Sequence, residues 1–208
     1  MKGHLIGRVL SEAAHGRFPE PDGSVEIVPL WQPGVEGVVS LTGRAYIATM
    51  LPREAVLAHD LDGYGRAVDP SFICWLAGPA GWADCLDVVL TAFGTGVGGP
   101  PPLPAMTDHP RVAHARLIRD DVEVFGDDRG LFTLGIGIGG LAELGIESLA
   151  GHGGGAGRSL IRDSLGLVAA GEPVLASVAP GNARALRAFL AAGFTPVGSV
   201  QVVRPAGR

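Results

Sequence analysis

The chain has 208 residues, 47% of them apolar and 18% charged, with a formal net charge of −5. That length predicts one large domain or two small ones, and the apolar content is ample for a core. The acidic balance, without a block of basic residues, excludes the clustered positive surface that nucleic acid requires. No run of about 18 apolar residues offers a membrane span. The stretch MKGHLIGRVLSEAAHGRF is interrupted by Arg8 and Glu12, so no signal peptide is expected. Cys74 and Cys85, the only cysteines, make neither a disulfide framework nor a metal pattern. A reducing cytoplasm and no metal are the expectations.

In chain order, Val25–Trp31, Val38–Leu51 and Cys85–Phe93 read as strands. PREAVLAHDL and DPSFICWLAG read as helices, opened by Pro52 and by Asp69-Pro70. Trp31, Trp75 and Trp82 read as core aromatics of this half, one of them available to wall a pocket. Gly96–Pro104 (GVGGPPPLP) cannot continue a helix or a central strand. It separates an accessory region, 1–104, from a second region, 105–208.

The second region is clearer. His109–Asp120 predicts a helix, and DVEVFGDDRG a strand turning at Asp127–Gly130. LFTLGIGIG and LAELGIESL follow as strands. Leu160, Ile161, Leu165 and Val168 recur at helical spacing, predicting a helix from Ala156 to about Ala170 closed by Gly171. PVLASVAP is a buried strand. Asn182 caps a last helix carrying Leu186, Phe189 and Leu190, Gly193 ends it, and FTPVGSVQVV is a final strand. The fold class is α/β (α+β): a mixed, mostly antiparallel sheet flanked by helices, with an N-terminal α/β extension or degenerate half.

HGGGAGRSL, His152–Leu160, sets glycines directly before a helix. A nucleotide P-loop would need glycine where His152 stands and lysine where Arg158 stands. Gly151–Ala156 matches G-x-G-x-x-A, but no acid follows the next strand to hold a ribose, so a dinucleotide fold is not expected. What remains is a strand, a glycine loop and a helix N-terminus, which together present free backbone N–H groups to a diphosphate. Glycine lets the backbone come close, and Arg158 adds charge.

This stretch resembles the acyl-CoA loop of the GNAT N-acetyltransferase superfamily, [Q/R]-x-x-G-x-[G/A], with Gly155 and Gly157 at the two small positions and His152 where Gln or Arg is usual. GNARALRAFLAAGF, Gly181–Phe194, is similar to the family's second motif at Asn182, Ala185, Gly193 and Phe194. The motif's tyrosine, a general acid, is replaced by Phe189. The resemblance covers about Leu141 to Val203 and implies a GNAT-like domain over 105–208.

The resemblance implies transfer of an acetyl group from acetyl-CoA to an amine of a small molecule or protein, by direct attack in a ternary complex. The alternative is a non-catalytic acyl-CoA-binding protein. The implied coenzyme contacts are Ile146, Glu147 and Ser148 beside the pantetheine arm, His152, Gly153, Gly154, Gly155, Ala156, Gly157 and Arg158 in the loop, and Asn182 and Phe189. Glu143 and Glu147 share a strand face by two-residue alternation and are the candidate bases. Glu143 lies deeper, where burial suits that work. His109 and His114, five apart, share no helix face, so they are not expected to hold a metal. The strands of the first half offer edges for a homodimer.

Overall fold

The computed structural model describes residues 3–106, 108–149 and 155–207. A nine-stranded sheet, mostly antiparallel, is covered by six α-helices. The chain opens with a helix, α1 (Leu5–Ala14), where none was expected. Ile6, Leu10 and Ala13 line one face at helical spacing and are buried. His4 caps it, its Nδ1 accepting from the Ile6 N–H at 3.2 Å.

β1 (Val25–Val28) is followed by β2 (Glu36–Leu41) and β3 (Arg44–Ala48). The apolar run Val38–Leu51 is therefore not one strand. Gly43, at φ +67°, turns it into a hairpin in which Leu41 faces Arg44. α2 (Arg53–Leu57) and α3 (Pro70–Ala77) follow as expected, with Asp69 capping α3 through the Ser71 N–H. β4 (Trp82–Phe93) ends the first region.

The second region begins with α4 (Pro110–Ile118), then the antiparallel meander β5 (Asp120–Asp127), β6 (Gly130–Ile136) and β7 (Ala142–Ser148). α5 (Ala156–Ser164) is shorter than its apolar period suggests. The chain tightens into a 3₁₀ turn at Leu165–Leu167, and Gly171 donates its N–H to Gly94 rather than capping a helix. Gly166 lies so close to the Gly98 carbonyl that a Cβ would stand 1.8 Å from its oxygen, so the chain leaves the helix to pass there. β8 (Pro173–Val178), α6 (Ala183–Ala191) and β9 (Thr195–Arg204) complete the fold.

Strand order is β1-β3-β2-β9-β4-β8-β7-β6-β5. β4, from before the Gly/Pro-rich segment, lies between β9 and β8, from after it, so the two regions share one sheet. On one face α1 and the end of α4 cover Val39, Val89, Leu175 and Val200. On the other, α2 and α3 cover the β2–β3 end, while α5 and α6 cover Leu90, Phe132, Leu144 and Val174. Alternation along each strand supplies both faces. Among the described residues no helix is long and apolar enough to cross a membrane.

Candidate active site

β7 and β8 are parallel neighbours for only two residue pairs, Ala142 with Val174 and Glu143 with Leu175. Beyond them no further ladder pair joins the two strands, although β7 runs on to Ser148 and β8 to Val178. β6 keeps an unbroken register with β7 through Ser148, so β7 holds its place while β8 diverges. Two cavities open on this gap and share Arg111, Ile146, Glu147, Asn182 and Ala185 as wall.

The larger cavity, about 880 Å³, lies between the end of β7 and the N-termini of α5 and α6. Ile146, Glu147 and Ser148 form one wall, and Gly155, Ala156, Gly157 and Arg158 another. Gly155 sits at φ +92°, a left-handed conformation, and among the described residues no side chain caps α5. The first helical bond runs from the Ser159 N–H to the Gly155 carbonyl, so the amides of residues 156–158 have no partner within the helix. His152, Gly153 and Gly154 lie outside the described residues.

Positive charge collects here. Arg111, Arg158, Arg184 and Arg187 line the cavity against one carboxylate, Glu147. Arg184 and Arg187 are exposed residues of α6 that the sequence reading passed over. They follow Asn182 by two and five positions, and that spacing was the available signal. Asn182 lines both cavities while its side-chain oxygen accepts from the Ala185 N–H at 3.1 Å. α5 is held from behind by Arg129 in the β5–β6 turn. Arg129 donates to Asp163 at 2.6 Å and to Ser159 at 3.1 Å, and its ion pair with Asp127 keeps that carboxyl below the usual range.

The smaller cavity, about 410 Å³, lies across the gap. β8 ends its ladder with β4 where Val178 meets Val88, so Trp82–Asp87 extend past it with that edge free of β8. A bulge between Ala83 and Leu86 breaks the alternation here and brings Asp84, Cys85 and Asp87 to the cavity wall together. α4 adds Arg111 and His114, and Arg119 follows directly after its end. Sequence reading missed Asp84, Cys85, Asp87 and Arg119. Two aspartates in an otherwise apolar strand were the signal.

The charges of this cavity are mostly paired. His114 Nε2 lies 3.4 Å from an Asp84 carboxylate oxygen. Burial would raise the Asp84 carboxyl, but hydrogen bonds from His114 and the Cys85 N–H carry it below the usual range. Arg111 faces Glu147 at 3.6 Å, and Arg119 donates to Glu143 at 2.7 Å. Asp87 has no ion pair among the described residues. Burial lifts its carboxyl above the usual range, against the hydrogen bond it accepts from the Cys85 thiol at 3.0 Å. Burial of the sulfur and that same carboxylate push the thiol up to about 12. Cys85 therefore stays protonated and makes a poor nucleophile at neutral pH.

Glu143 and Glu147 do share a strand face, since one meets Arg119 at the end of α4 and the other Arg111 within it. Glu143 is 2% exposed and fully engaged. One carboxylate oxygen accepts from Arg119 and the Ser177 hydroxyl, the other from the Ile138 N–H. A Cβ on Gly137 would stand 2.0 Å from that second oxygen, so the carboxylate is packed under backbone. Glu147 is exposed and lines both cavities. Phe189 is 2% exposed, meets Phe194 edge to face at 4.9 Å between ring centroids, and touches the smaller cavity.

His109 serves as N-cap of α4, accepting from the Arg111 N–H. No cluster of metal-ligating side chains occurs among the described residues. Trp31 and Trp75 pack against the core, whereas Trp82 is 38% exposed and meets His114 edge-on, so it is not a core residue. Searched against models of known protein families, the chain matches none, and it matches no curated protein.

Proposed function

We propose that the protein is a GNAT-like N-acetyltransferase that moves an acetyl group from acetyl-CoA to a primary amine. The observation that carries this is the divergence of two parallel strands over an 880 Å³ cavity, with an uncapped helix N-terminus on its rim. The GNAT-like arrangement of the sheet belongs to this proposal. Amides 156–158, without partners in the helix, and four arginines suit a diphosphate and a further phosphate; the small residues admit it closely. The edge of β7 at Ile146–Ser148, free of β8, suits an extended amide arm that pairs as an added strand.

Acetyl-CoA supplies an electrophilic thioester carbonyl. The protein's own groups orient it, accept the acceptor's proton and keep the two reactants on opposite sides of one wall. Direct attack is supported by the protonated state of Cys85, the one thiol at the site, which disfavours a covalent carrier. Glu143 is committed to Arg119 and fits a positioning role better than that of base.

A second reading, an acyl-CoA binder without transfer, is favoured by Phe189, which cannot donate a proton. The test is thiol release from acetyl-CoA with a panel of primary amines. Amine-dependent release supports transfer. Coenzyme binding without release selects the second reading.

A further inference from the structure

The smaller cavity is chemically unlike its neighbour, and its composition names a ligand. Asp87 is a partly buried carboxylate with a neutral thiol as its hydrogen-bond partner. Arg119, which lines the same cavity, is nine-tenths buried, with its side chain 6% exposed, and its Nε–H has no hydrogen-bond partner among the described residues. An unmatched anion and an unmatched buried donor in one cavity are each costly unless a ligand meets them.

Resting on the acyltransferase reading, we propose that this cavity takes a small primary amine carrying a hydroxyl or carbonyl oxygen, with Asp87 as the carboxylate that holds the ammonium and accepts its proton, and Arg119 as donor to the oxygen. Asp87 takes one proton from the ammonium and becomes the neutral acid. The freed nitrogen pair forms the bond to the thioester carbon, and the carbon–sulfur bond breaks with its pair on sulfur. The amine's next proton goes to that sulfur, which needs no tyrosine at position 189. Asp87 then returns its proton to water. The base thus comes from β4, outside the motif-bearing region, and the first half completes the site.

The other titratable groups facing Asp87 are engaged. On β4 these are Asp84, held by His114, and the Cys85 thiol. On α4 and at its C-terminal end they are Arg111, His114 and Arg119, and on β7 Glu143 and Glu147.

The test compares wild type, Asp87→Asn and Asp87→Glu with glucosamine, ethanolamine, glycinamide and n-butylamine as acceptors, beside calorimetric binding of CoA. Expected are turnover of the three oxygen-bearing amines above n-butylamine, and a loss of kcat/KM of at least a hundredfold in Asp87→Asn. Asp87→Glu should recover part of it, with CoA affinity unchanged within twofold in both variants. Wild-type kcat/KM should fall at high pH as each free acceptor loses its proton. Asp87→Asn activity within threefold of wild type, n-butylamine equal to the others, or no amine-dependent turnover despite CoA binding would each overturn the proposal. Should Asp87→Asn not fold, a wild-type kcat/KM that keeps rising past the acceptor's own pKa overturns it instead. Absence of CoA binding by the wild type marks failure of the acyltransferase reading itself.

Discussion

The two cavities share a wall and differ in charge balance. The larger has four arginines against one carboxylate; the smaller has three carboxylates, Asp84, Asp87 and Glu147, matched by two arginines and a histidine. Arg111 and Glu147 belong to both and face each other at 3.6 Å on the boundary. On the proposed reading, the positive excess would draw a polyanion to one side of the gap between β7 and β8, while the other side, without that excess, would admit a cation. On that reading the divergence of two strands would set where reactants meet, and the charges around it which reactants they are.

The largest effect is expected from Glu143, the buried partner of Arg119 behind the smaller cavity. Glu143→Ala leaves the buried Arg119 guanidinium without its carboxylate, which costs about 3–5 kcal/mol. Urea unfolding should show that loss. A variant that is fully stable yet inactive would make Glu143 the base and dissolve the division of labour between the two sides.

Smaller effects sharpen the contrast. Replacing Arg184 and Arg187 together by alanine should weaken CoA binding roughly tenfold and flatten its salt dependence, without lowering the melting temperature, because both are exposed. Loss of amine turnover at unchanged CoA affinity would place them on the wrong side. Gly157→Ala has room, since its Cβ would lie 3.9 Å from Ser148, and its backbone is not left-handed. It should leave stability intact and cost about 1 kcal/mol of CoA affinity by holding the diphosphate off the amides. Unchanged affinity would argue that nothing approaches that turn.

The smallest effect is electrostatic. Asp87 is raised in the folded state, so folding retains its proton as pH rises above about 4, and stability falls through that window. Asp84 is lowered, so its contribution is present above about 4 and is lost as pH falls through its folded value. Asp87→Asn removes only the first. Its melting temperature should exceed wild type at pH 7, with the gain lost as pH falls below about 4. A gain independent of pH would mean that Asp87 is not a strained carboxylate.

How far each cavity was legible follows from how it is built. The walls of the larger one come largely from contiguous segments, Ile146–Ser148, Gly155–Arg158 and Asn182–Ala188. A glycine that must be left-handed and an asparagine that caps a helix leave local marks in a sequence. The helices and strands of 105–208 were readable for the same reason. The smaller cavity needs β4, whose partners β9 and β8 lie more than 70 residues later in the chain. Its aspartates fall on one wall only because a bulge shifts the register, and no local period encodes that. Cys85 was read only as belonging to no disulfide framework or metal pattern, yet it bonds the one carboxylate there that has no ion pair among the described residues. The α1 helix went unread although Ile6, Leu10 and Ala13 carry its period. The overlong α5 followed an apolar period that a 3₁₀ turn continues.

The central claim is that amides 156–158 and the arginines around them hold a diphosphate. Calorimetric titration of the protein with CoA and, separately, with pantetheine tests it most directly. The account predicts saturable binding of CoA and at least a hundredfold weaker binding of pantetheine, which keeps the arm and lacks the phosphates. No heat with CoA at millimolar concentration, or equal binding of the two, would contradict it.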